Sequence, residues 1–194
     1  RNDRLAYEAL NHRVDRAVAG LDDAGISPGD RVGLAMPRGL PFVVSFHAIR
    51  RRDAIVAPID PDQPERRHAE RLRRLGVTSV VGTAETLPVG SEVPAVAYED
   101  LLADTTADAS SPTRAPDAVT CLMPTSGTTG DPKIVGLSWQ NLRASAVASG
   151  MRLGIDPADR WLTPLAPHHM GGLAPIVRSA VYGTTYVSQS FAEA

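Results

Sequence analysis

Cysteine and lysine are almost missing from this chain, and so are long apolar runs and any excess of one charge. Cys121 is the one cysteine, so no internal disulfide can form. A disulfide-stapled secreted scaffold is excluded, and a reducing, cytoplasmic setting is the expectation. Apolar neighbours mark Cys121 as a small core residue rather than a nucleophile. No run approaches ~18 apolar residues, which argues against a membrane-spanning helix. No basic segment followed by an apolar stretch opens the chain, so no signal peptide is expected. The first residue is not Met, and the numbering is expected to begin inside a longer natural chain. A net charge of -2 gives no electrostatic reason to expect nucleic acid. What remains is 194 residues, 43% of them hydrophobic, enough for one real core.

The lysine shortage has a second meaning. Lys133 is the sole lysine among 20 basic residues; all the others are arginine. It closes the stretch Thr125-Ser126-Gly127-Thr128-Thr129-Gly130-Asp131-Pro132-Lys133. Gly127 and Gly130 let backbone approach an anion and turn N–H groups toward it. Thr125, Ser126, Thr128 and Thr129 add hydroxyl donors, and Lys133 adds a compact charge. These residue types suit a polyphosphate. The spacing is not that of a Walker A loop, because Pro132 precedes Lys133 and Ile134 follows it. Pro132 also disfavours a helix starting at the lysine. Cys121–Met123 before the loop and Ile134–Leu137 after it read as short strands. Composition alone leaves open an ordinary Gly/Ser/Thr loop with no ligand.

Helix and strand alternate through the first half. Helical spacing of Leu5, Leu10, Val14, Ala17, Val18 and Leu21 predicts a helix over ~5–24, with Gly25 as its stop. Strands are predicted at 31–36, 54–59 and 78–82, and helices at 41–51 and 65–75. This alternation predicts an α/β fold with a mostly parallel sheet flanked by helices. Arg50, Arg51 and Arg52, and the run Arg66, Arg67, Arg71, Arg73 and Arg74, are expected to lie on solvated helix faces. Residues 1–102 form a first α/β portion and 103–117 an Ala/Ser/Thr/Pro-rich linker; 118–194 carry the candidate site. Ser138 is the expected cap of a helix over 139–152. His168 and His169 adjoin Gly171 and Gly172, but lack a third ligand at useful spacing, so no metal site is expected. A bland alternative is a polar loop before a buried helix.

Residues 125–133 resemble the phosphate loop of the adenylate-forming superfamily, which includes acyl-CoA synthetases, peptide-synthetase adenylation domains and luciferases. Pro124 stands where that family often has an aromatic, and Ile134 where it often has Gly. Three earlier stretches resemble it in order and spacing: Ala6–Leu10, Gly25–Val32 and Ile55–Pro61. Arg52-Asp53 replaces the family's usual Ala-Gly. The segment Trp161–His169 matches one that usually ends Leu-Pro-Leu-Phe-His, so His169 takes the family's histidine position beside the acyl pocket. His168 takes the place of the usual aromatic. Arg178 and the residues after it resemble o-succinylbenzoate–CoA ligases of menaquinone biosynthesis.

The resemblance implies the first part of the large domain of an enzyme that uses ATP, Mg2+ and CoA to activate a small carboxylate. It implies phosphate binding by Thr125, Ser126, Gly127, Thr128, Thr129, Gly130 and Lys133. It implies an acyl-site role for His169, and a hold by Arg178 on a second substrate carboxylate. A salt-bridged Arg at a helix edge is the plainer reading of Arg178. The family's adenine and ribose motifs and its C-terminal catalytic lysine have no counterpart here, so the isolated stretch is expected to be inactive. Other readings stay open: another aryl- or acyl-CoA ligase, a carrier-protein-dependent adenylation domain, or a non-catalytic nucleotide-binding module.

Overall fold

The computed structural model describes residues 4–88, 93–103, 115–125 and 133–189. Its elements are α1 (Tyr7–Asp23), β1 (Arg31–Ala35), α2 (Leu40–Arg51), β2 (Ile55–Ile59), α3 (Glu65–Leu75), β3 (Ser79–Gly82), β4 (Ala95–Ala97) and α4 (Tyr98–Leu101). There follow β5 (Val119–Pro124), β6 (Ile134–Ser138), α5 (Trp139–Leu153), β7 (Arg160–Thr163), α6 (Met170–Tyr182) and β8 (Thr185–Ser188). Six strands form one sheet in the order β4-β3-β1-β2-β5-β6. All neighbours in it run parallel except β6, which lies antiparallel to β5. β7 and β8 pair separately, in parallel. The expected α/β fold is present.

Side-chain alternation along the strands divides the core in two. Val32 and Leu34 of β1, Val56 of β2 and Cys121 and Met123 of β5 pack with α1 and α2. Ala35, Ile55, Ala57, Ile59 and Leu122 face the other way, against Leu72 and Leu75 of α3. β2 is buried at all five residues, as a strand covered on both faces should be.

Several local expectations meet the structure closely. α3 spans 65–75 and ends at Gly76 in the left-handed region (φ 61). Ser138 caps α5: its Oγ accepts from the Asn141 N–H at 3.1 Å, and Asn141 Oδ1 accepts from the Ser138 N–H at 3.0 Å. At the end of α2, Asp53 takes φ 62, the left-handed turn suited to the glycine that it replaces.

Other expectations need correction. Helix α1 starts at Tyr7 because Ala6 is extended. The arginine cluster at 50–52 is not simply solvated. Arg51 pairs with Asp15 and Arg52 with Asp22, tying α2 to α1. The Arg50 guanidinium lies 4.1 Å from the Trp139 ring centroid. Elements β4 and α4 escaped the periodicity reading because they span three and four residues. Yet α4 buries Tyr98 and Leu101, and its backbone lies so close to α1 that a Cβ on Gly20 would stand 2.5 Å from the Leu101 carbonyl oxygen. Most of the expected linker, residues 104–114, lies outside the described residues.

Candidate functional site at the carboxyl edge of the sheet

Parallel strands bring their carboxyl ends to one edge, where ligands of open α/β sheets bind. Val56 of β2 pairs with Cys121 of β5. Asp60 and Thr125 follow directly on β2 and β5, so both lie at that edge. On the other side of β2, Ala35 pairs with Ile59, so the Met36–Gly39 turn reaches the same edge.

Thr125 and Lys133 close the neck of the loop. The Thr125 N–H donates to the Lys133 carbonyl at 2.8 Å, and Thr125 Oγ1 donates to the same oxygen at 3.3 Å. Pro124 and Ile134, the two departures from the family pattern, form the rung beneath. Lys133 is exposed. Ser126, Gly127, Thr128, Thr129 and Gly130 lie outside the described residues.

His168 and His169 arrive from the other half of the chain. The His169 carbonyl starts α6, accepting from the Gly172 and Leu173 N–H groups at 3.0 Å each. That start is tightly packed: a Cβ on Gly172 would stand 2.2 Å from the Ala166 carbonyl oxygen, so glycine is required there. The His169 side is exposed, whereas His168 is half-buried. The two imidazoles touch, with centroids 4.4 Å apart. His168 Nε2 lies 3.8 Å from Asp60 Oδ2. Burial holds His168 below the usual histidine range; Asp60 opposes that, while His169 and Arg71 reinforce it.

Asp60 is itself fixed. Its carbonyl accepts from His68 Nε2 at 2.6 Å, its Oδ1 from the Asp62 N–H at 3.2 Å, and its Oδ2 from Gln63 Nε2 at 3.3 Å. Sequence reasoning passed over Asp60, since nothing local links it to His168. Its place just after a buried strand was the available signal.

Arg178 lies on α6, half-buried, its guanidinium carbon 5.6 Å from the Trp161 ring centroid. It forms no salt bridge among the described residues. Nine residues separate it from His169, about 14 Å of helical rise. No hydrogen bond or ring contact joins the two.

A cavity of about 1310 Å³ opens on this edge, lined by Arg38, His47, Asp62, His168 and Tyr186 among others. His47 is pushed down to about 3, first by burial and then by Arg50 and Arg51, and is neutral at physiological pH. Burial pushes the Cys121 thiol up to about 12, so it offers no thiolate to chemistry.

Sheet order, connectivity and the hairpin at the carboxyl edge define the front portion of the large domain of an adenylate-forming enzyme. The chain belongs to the AMP-binding enzyme family, whose model matches residues 1–192. Among solved structures, o-succinylbenzoate coenzyme A synthetase from Bacillus subtilis in complex with AMP superposes with a TM-score of 0.90 at 25% identity. The match covers 98% of this chain and 51% of that one. The 2-succinylbenzoate–CoA ligase of Bacillus subtilis is 48% identical over 71 residues, 37% of this chain and 15% of that protein. A long-chain-fatty-acid–CoA ligase of Mycobacterium tuberculosis is 28% identical over 199 residues, 95% of this chain and 40% of that protein. The chain spans between 26% and 40% of the length of the first curated relatives that it matches.

Proposed function

We propose that the natural protein is an ATP-dependent acid–CoA ligase, with 2-succinylbenzoate as its acid. The observation that carries this reading is the hydroxyl-, glycine- and lysine-bearing loop, whose neck of Thr125 and Lys133 opens at the carboxyl edge of the sheet. A substrate carboxylate oxygen attacks the α-phosphorus of ATP. The bond to the bridging oxygen breaks, and pyrophosphate leaves. The sulfur of CoA then attacks the acyl carbonyl, and AMP leaves.

Both steps place negative charge on oxygen, so the protein's part is positioning and electrostatic stabilisation. Thr125, Ser126, Gly127, Thr128, Thr129, Gly130 and Lys133 hold the β- and γ-phosphates through N–H, hydroxyl and ammonium donors. No group of three or more His, Cys, Asp or Glu gathers as a metal cage among the described residues. Mg2+ would accompany the nucleotide phosphates and screen their charge. His169 borders the acyl site. Arg178 supplies a bidentate partner for the carboxylate that does not react, which would otherwise be a desolvated anion.

The 48%-identical stretch supports the aryl dicarboxylate, while the fatty-acid ligase covers more of the chain at lower identity. Pyrophosphate release by the full-length protein separates the two readings. Turnover with 2-succinylbenzoate well above that with benzoate or medium-chain acids is the expected result. Arg178→Ala is expected to erase that preference; equal turnover of all acids by the parent protein contradicts the dicarboxylate assignment.

A further inference from the structure

We propose that His168 is a positioning residue whose proton state, set against Asp60, decides where the His169 ring stands, so that the acyl site is competent only while His168 is neutral. This rests on the reading of His169 as a residue of that site.

The geometry gives the two states different consequences. At 3.8 Å from Asp60 Oδ2, the neutral His168 ring is too far for a hydrogen bond and is not held by the carboxylate. It lies instead against His169, at 4.4 Å between centroids. A proton on His168 changes both relations. The imidazolium is drawn to Asp60, and it repels any positive charge on His169. Asp60 is restrained, its backbone carbonyl bonded by His68 and its carboxylate by Gln63 and the Asp62 N–H. The His169 backbone cannot follow either, because its carbonyl starts α6 and Gly172 is wedged against Ala166. The side chains must therefore rearrange.

The charged groups around His168 are Asp60 and Asp62 from the β2–α3 connection, Arg71 from α3 and His169 beside it. Burial, His169 and Arg71 favour the neutral ring, and the two carboxylates favour the cation. A phenyl ring at this position, the family's usual choice, would keep the contact with His169 and lose the proton.

The test is the pH dependence of kcat/KM for the carboxylic acid in the full-length enzyme, followed by pyrophosphate release from about pH 5 to about pH 9. The parent is expected to lose about tenfold per pH unit below the His168 pKa. His168→Phe should keep activity close to the parent's at the alkaline end and lose that acid limb. Asp60→Asn removes the carboxylate that favours the imidazolium, so its limb should move to lower pH, with KM for ATP unchanged. This second variant carries the test should His168→Phe fail to fold. A parental acid limb in His168→Phe overturns the proposal, as does an unmoved or raised limb in Asp60→Asn. A parent that releases no pyrophosphate with any acid instead overturns the ligase reading on which the proposal rests.

Discussion

Helices α2 and α5 follow strands in the two halves of the chain, yet they live in different surroundings. Eight of the twelve residues of α2 are buried, against three of the fifteen in α5. The strands beside them repeat the contrast: β2 is closed at every position, whereas Ile134, Val135 and Gly136 of β6 are all exposed. Large apolar side chains also stay open to solvent in the second half, including Met151 at 85% and Leu153 at 66%. The first half is a framework with a full core on both faces of its sheet. In the second half, α5 and β6 are thinly covered, whereas β5 and α6, which flank the candidate site, join the core. Substitutions in the framework should cost mainly stability, and those at Lys133 and the histidines mainly activity.

The largest expected effect in the framework is Phe46→Ala. Phe46 has no exposed surface and stacks with Phe42, at 6.4 Å between ring centroids. Its truncation should cost about 3–5 kcal/mol in denaturant unfolding; a loss below about 1 kcal/mol would break the comparison.

Next comes acid sensitivity. His47 is held near 3, against an ordinary value of 6.5, so the unfolded chain binds more protons between those values. Stability is intact above pH 6.5 and is lost as pH falls below it, by several kcal/mol at most. His47→Leu should flatten that slope, measured as unfolding free energy at steps between pH 7 and pH 4. An unchanged slope would place the acid sensitivity elsewhere.

At the start of α6, Gly172→Ala forces a methyl group against the Ala166 carbonyl. It should cost about 1–3 kcal/mol by thermal unfolding. It should also lower acid-dependent turnover, because His169 shares that helix start. The smallest effect belongs to the exposed face of α5: Met151→Ala should stay within about 0.5 kcal/mol of the parent.

Much of this division was legible in the sequence where one period ran long enough. The Arg-rich helix over 65–75 was read with its observed bounds, and the structure shows His68, Leu72 and Leu75 as its buried face. Ser138 declared a cap. The strands on either side of the Gly/Ser/Thr-rich loop were read from the sequence and stand as β5 and β6. β4 and α4, of three and four residues, carry too few positions for a period to register, although β3, equally short, was legible from its β-branched run. The Asp60–His168 contact depends on strand register and on the path of the chain into α6, which no local pattern encodes. The same holds for Arg50, Arg51 and Arg52. Their charge suggested solvent, but their partners come from α1 and from Trp139.

The loop between β5 and β6 is proposed to grip the phosphates of ATP without serving the framework. Carboxylate-dependent ATP–pyrophosphate exchange by the full-length protein, parent against Lys133→Ala, tests it most directly. A fall of roughly 10²–10³ with unfolding stability unchanged is the predicted result. Parental exchange in the variant would contradict the claim.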